Sequence, residues 1–382
     1  MRSAAAIRLG FLIAGLLLGT AGGADPLLYA ESDFARVEKI DTHVHLYGEL
    51  PKFMARASAD NFRLLTINVN YRDFPPVQQQ FDDARALQRA YPERIAFAAT
   101  FDAGGSERSG WLERTESQLA AALDQGAVAV KVWKDIGMQQ RDPDGRVVMI
   151  DDARFRPIFD LLEKRHVPLL GHQGEPRNAW LPLAQMTIRG DREYFAEHPQ
   201  YHMFSHPEWP SYDEQIAARD HMLDQHPGLQ FVGVHLASLE WDVERVAGFL
   251  QRYPGASVDL AARLVHLQLQ ASTDRDKVRR FFIDFQDRIL YGSDIGRARD
   301  QSDAELAEEA HAAWFSDWRF LSSDALLHST DFDAPFTGLA LPRAVLDKIY
   351  HGNARRLFPS AWQGSPPGER QSADASLATG EP

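Results

Sequence analysis

Short apolar runs alternate with longer amphipathic stretches through most of this chain. The runs are Val37–Leu46, Arg63–Asn70, Arg94–Phe101, Ala127–Trp133, Val167–His172, Gln230–Leu236, Ala256–Ala261 and Arg288–Ser293. They are bounded by turn residues, and most are continuous rather than alternating, which is the pattern of parallel strands covered on both faces. The stretches Val77–Ala90, Thr115–Asp124, Ala153–Arg165, Asp213–Gln225, Asp242–Arg252 and Asp274–Phe285 predict helices between them. Several end on Gly or before Pro, as in Asp124-Gln125-Gly126 and His226-Pro227-Gly228. Eight such units predict an α/β fold, a closed (β/α)8 TIM barrel. The competing arrangement is an open doubly wound sheet, but no glycine-rich phosphate loop follows the first strand. The stretch from His172 to Tyr212 predicts a long loop insertion after the fifth strand, and extra C-terminal helices follow the eighth.

Composition narrows this picture. The chain has 382 residues, 44% hydrophobic and 25% charged, which is ordinary for a globular protein. Its net charge of −13 argues against a nucleic-acid partner and against anionic membrane surfaces. Residues 1–24 read as a signal peptide: Arg2 and Arg8, the apolar run Leu9–Leu18, then small residues to Ala24. That run is shorter than the roughly 20 residues of a spanning helix, so no stable membrane insertion is expected. The mature protein is expected to be exported to the periplasm, with the barrel over residues 33–362 and a disordered Ser/Pro/Gly/Ala-rich tail over 363–382. No cysteine is present, so neither a disulfide nor a cysteine-linked lipid anchor forms.

Candidate chemistry gathers at the strand ends. His43 and His45 stand two apart in Ile40-Asp41-Thr42-His43-Val44-His45-Leu46. In a strand, residues i and i+2 share a face, so two imidazoles aim at one point, half of a metal site. A solvated pair on an edge strand is the plainer alternative. Lys131 lies near the end of the fourth strand, His172 ends the fifth, His235 ends the sixth and Asp294 follows the eighth. A parallel barrel carries its chemistry at those carboxyl ends. Three imidazoles and one carboxylate, from His43, His45, His172 and Asp294, suit a divalent metal, Zn2+ first and Fe2+ or Mn2+ next. His166, His221, His226, His266 and His311 fall elsewhere and are expected at the surface or at helix ends.

The chain resembles the amidohydrolase superfamily, in the amidohydrolase-2 branch that also contains decarboxylases and lactonases. The resemblance rests on Asp41-Thr42-His43-Val44-His45, Gly171-His172, Val234-His235-Leu236, Tyr291-Gly292-Ser293-Asp294 and Ile349-Tyr350-His351-Gly352-Asn353-Ala354, which span nearly the whole folded chain. It implies a TIM barrel with His43, His45, His172 and Asp294 as metal ligands and His235 as a catalytic or water-orienting group. In some relatives a lysine at the place of Lys131 is carboxylated and bridges two metals; one ion is the favoured reading here. Asp294 is then expected to take a proton from an activated water, and His235 to donate a hydrogen bond. Glu175, Arg177 and Trp180 on the insertion, with Lys134, Trp133 and Arg263, are candidate substrate contacts, Arg263 as a carboxylate clamp. His198, His202 and His206 offer a second metal site only if one helix carries all three, and Pro199 and Pro207 interrupt it. The expected function is metal-dependent hydrolysis of an amide, lactone or ester of a small molecule. Metal-dependent non-oxidative decarboxylation of an aromatic or unsaturated acid is the alternative, and a non-enzymatic metal carrier is the third reading. A homo-oligomer through residues 300–344 is expected by analogy.

Overall fold

The computed structural model describes residues 27–298 and 300–363. The expected signal peptide and all of the expected tail except Gln363 lie outside them. Parallel strands β1 (Lys39–His45), β2 (Phe62–Ile67), β3 (Ile95–Thr100), β4 (Ala129–Val132), β5 (Leu169–Gly171), β6 (Phe231–Gly233), β7 (Ala256–Asp259) and β8 (Ile289–Leu290) pair in chain order. A short strand β9 (Ile295–Gly296) pairs with the free side of β1. β8 and β9 are two halves of one eighth strand: the first half joins β7 and the second joins β1, which closes the barrel. Backbone bonds from Thr42 N to Tyr291 O (2.9 Å) and from Asp294 N to His43 O (2.8 Å) complete the seam. Gly292 stands where this seam is tightest, since a Cβ there would lie 3.0 Å from the Cβ of His43.

Each strand sends alternate residues to two cores, as a period of two requires. Ile95, Phe97 and Ala99 pack outward against helices, while Ala96 and Ala98 fill the barrel interior. On β1 this alternation is broken by a bulge between Asp41 and Val44. Ile40 faces the interior, yet Val44, four residues on, faces the helices. The extra residue reverses the parity and turns His43 and His45 inward.

The expected helices form, with different ends. The one after β3 starts at Trp111, and the one after β7 runs Leu264–Asp284 with a kink at Asp274, where a start was expected. An additional helix, Pro51–Ala59, follows β1 and buries Phe53, Met54 and Ala57; its apolar stripe is too short to read from periodicity. The insertion after β5 is not a structureless loop, because it holds the helix Arg189–Glu197 and several 3-10 turns. Beyond β9, Asp303–Ser322 begins with a Ser302–Glu305 capping box and buries Trp314 and Trp318. The helices Arg343–Asp347 and Asn353–Leu357 follow. Among the described residues no helix is long and apolar enough to cross a membrane.

One buried acid sets a pH dependence. Burial of Asp135, just after β4, lifts its carboxyl to about 7. The folded chain thus keeps a proton that the unfolded chain has released, and stability falls as pH rises from about 4 to 7. Asp135→Asn keeps an acceptor for Gln140 Nε2 at 2.9 Å and removes the ionisation. It is expected to stabilise the protein at pH 8 by on the order of 4 kcal/mol and to be neutral near pH 4. Thermal unfolding at the two pH values checks this; an equal effect at both would show that the carboxyl is not the source.

Candidate metal centre

The carboxyl ends of the strands open into a cavity of about 840 Å³. His43, His45, Lys131, His172, His235 and Asp294 line its floor. His43 Nδ1 lies 2.7 Å from Asp259 Oδ2, and His45 Nδ1 lies 2.8 Å from Ile67 O. A carboxylate and a carbonyl can only accept, so both rings carry hydrogen on Nδ1 and turn a lone pair outward from Nε2. Those two Nε2 atoms lie 3.2 Å and 3.3 Å from the same atom, Asp294 Oδ1. His235 Nδ1 donates to Ala261 O at 2.9 Å, which leaves its Nε2 as an acceptor too. His172 Nε2 is buried and has no hydrogen-bond partner. Its ring centroid is 4.3 Å from that of His235, and His235 is 4.9 Å from His43.

Burial pushes His43, His172 and His235 well below the ordinary imidazole value, so they are neutral at pH 7. Burial would raise the Asp294 carboxyl, but electrostatic interaction with the His235 and His43 rings and a hydrogen bond with His45 hold it well below the usual carboxylate range. The Nε2 atoms of His43 and His45 thus face one oxygen of an ionised carboxylate. Ligand atoms of His43, His45 and Asp294 all lie within 4.8 Å of one another, so the donor set fits a divalent metal.

Backbone geometry aims these groups. Asp294 sits at φ 70°, between the two halves of the eighth strand. It does not cap a helix; the next long helix is capped by Ser302. His235, Leu236, Ala237 and Ser238 all have φ between 55° and 59°. Left-handed conformations of this kind cost roughly 1–2 kcal/mol per residue and cluster where function demands them.

Lys131 is buried, with Nζ 3.5 Å from His43 Nε2, and burial lowers it to about 8 against the opposing pull of Asp259 and Asp294. Trp133 and Lys134 also line the cavity. Lys134 is already ion-paired with buried Glu175, whose other oxygen is 3.9 Å from His172 Nε2. Arg263 is buried, donates to Ala262 O, and leaves Nε without a partner. Arg177 is placed elsewhere: it is exposed and stacks 4.3 Å over the Trp241 ring. Trp180 donates to Pro210 O and packs on Tyr212 within the insertion.

The series His198, His202 and His206 does not converge. Each ring bonds a separate carbonyl, of Tyr194, Leu181 and Pro199, because 3-10 turns interrupt the helix. His226 and His266 lie at helix ends, as the C-cap of Tyr212–Gln225 and in the first turn of Leu264–Asp284, and both are buried, against Asp160 and Asp191. Two features escape sequence reasoning. Asp259 joins the site from the end of β7, and its signal was a lone carboxylate inside the apolar run Ala256–Ala261. Tyr71, Phe74 and Tyr194 join Trp133 in an aromatic wall, with nothing local to mark them.

Among solved structures, the chain is similar to an uncharacterized TIM-barrel protein from Bordetella bronchiseptica, at 14% identity over 85% of this chain and 99% of that one, with a TM-score of 0.49. It is similar to 2,6-dihydroxybenzoate decarboxylase from Rhizobium, at 17% identity over 84% and 98%, with a TM-score of 0.47. It is also similar to a probable 2-pyrone-4,6-dicarboxylic acid hydrolase from Acinetobacter baumannii, at 12% identity over 85% and 100%, with a TM-score of 0.46. No curated protein sequence matches the chain. The family model described as Amidohydrolase matches residues 40–360, from β1 to beyond the last helix. The chain belongs to the amidohydrolase family.

Proposed function

We propose that the protein hydrolyses an amide, lactone or ester bond of a small molecule, with His43, His45, His172 and Asp294 holding one divalent cation. Zn2+ suits that donor set best. The observation that carries this reading is the convergence of two imidazole lone pairs on Asp294 Oδ1, at 3.2 and 3.3 Å, on the floor of a cavity. When bound, the cation supplies Lewis acidity and lowers the pKa of water toward about 7. Asp294, with 31% of its side chain open, takes the proton of the attacking water and returns it to the leaving group. His235 orients that water by accepting its hydrogen bond at Nε2. This reverses the donor role expected for His235, since its only ring proton goes to Ala261 O. Trp133, Lys134, Glu175 and Arg263 meet the substrate, and with Lys134 paired to Glu175 it is Arg263 that favours an anionic one.

A lyase that releases CO2 from an aromatic or unsaturated acid is the second reading, and the wall of Tyr71, Phe74, Trp133 and Tyr194 favours it. Assays of a panel of lactones, amides, esters and aromatic acids separate the two, since CO2 release without net hydrolysis marks the lyase. His235→Asn is expected to cut turnover by roughly 10²–10⁴-fold at unchanged metal content. Activity equal to the parent would remove His235 from the mechanism. Two metal equivalents per chain would favour a carboxylated Lys131. Export is part of the proposal, and a chain still beginning at Met1 in the soluble cytoplasmic fraction would rule it out.

A further inference from the structure

We infer that Asp259 is a positioning residue that couples the metal ligand His43 to the water-orienting His235. This rests on the functional reading above. One carboxylate oxygen, Oδ2, takes the Nδ1 hydrogen of His43 at 2.7 Å. The other, Oδ1, takes the backbone N–H of His235 at 2.6 Å and that of Ala261 at 3.3 Å. Asp259 is 1% exposed, and so is His43, so water does not stand in for either contact.

Each contact has its own consequence. The bond to His43 selects the tautomer whose Nε2 lone pair faces Asp294, and a ligating histidine needs that choice made by its other nitrogen. The bond to the His235 amide falls at the first of four successive left-handed residues, at φ 59°. It holds the backbone that carries the His235 ring. The ring is then fixed by Ala261 O, and the Ala261 amide bonds to the same Asp259 oxygen. One carboxylate thus sets the aim of two imidazoles whose centroids are 4.9 Å apart. Among the described residues no other acceptor bonds both. Asp294 meets His43 only at Nε2.

An amide cannot reproduce this pair of contacts. In Asp259→Asn one end of the side chain becomes a donor, so either His43 Nδ1–H or the His235 amide loses its acceptor. The test is Zn2+ titration of the full-length protein in competition with a chromogenic chelator, with the fold followed by circular dichroism. Asp259→Asn is expected to weaken Zn2+ binding by roughly 10–100-fold while the secondary structure is kept. Affinity within threefold of the parent overturns the proposal alone, and a parent that takes up no Zn2+ overturns the functional reading and the proposal with it. Should the variant not fold, the ring nitrogen shifts of ¹⁵N-histidine in the metal-free parent decide. The Nδ1–H tautomer at His43 supports the inference, and the Nε2–H tautomer overturns it.

Discussion

Asp294→Asn is expected to lower turnover by roughly 10²–10⁴-fold at saturating metal, with the fold intact. Asparagine is the informative replacement because it tolerates the left-handed backbone that Asp294 adopts at φ 70°. The bond from its N–H to His43 O, at 2.8 Å, is a backbone contact and survives. What is lost is the charge on which His43 and His45 converge, carried by a carboxylate with 31% of its side chain open. An amide neither accepts the proton of an attacking water nor neutralises a cation. Metal affinity should therefore fall too, and kcat is to be compared at metal concentrations that refill the site. Retention of more than a tenth of the parent kcat under those conditions would exclude Asp294 as the proton carrier.

The second large effect is on the metal itself. His43→Ala combined with His45→Ala removes two of the four donors, and bound metal is expected to drop to roughly a tenth of the parent level or less by elemental analysis. Activity should fall with it. The substitution also strips Asp259 Oδ2 of its partner in a fully buried setting, at a cost of about 1–3 kcal/mol. Some loss of thermal stability in the metal-free state is therefore part of the expectation. Full metal occupancy in this variant would refute the ligand set, whatever happened to activity.

Much of the site is legible locally because barrel strands are short, apolar runs that end at the chemistry. His172 and Asp294 break such runs, and that placement marks them before any contact is known. Arg177 shows the limit. It lies in the insertion among aromatic and charged residues, yet its backbone N–H meets Glu240 and its side chain turns outward over Trp241. Composition places such a residue near a pocket, but only packing decides which way it faces. Asp259 lies inside the run Ala256–Ala261, where nothing local sets it apart as a site residue, and its importance depends on His43, which lies 216 residues away in the chain.

By itself the sequence determined the eight strands, their order and six of the helices between them. It also determined that ligand-type side chains close the first, fourth, fifth and sixth strands and follow the eighth. Periodicity and turn chemistry act over a few residues, so they can be read from neighbours along the chain. Only the tertiary structure decided where those side chains point. His43 and His45 share a face under any register, but the bulge after Asp41 makes it the inner face. That bulge arises from pairing β1 with β2, and the turn that aims Asp294 arises from an eighth strand that must join both β7 and β1. The aim of a side chain depends on ladder register between distant segments, and barrel closure alone fixes that register.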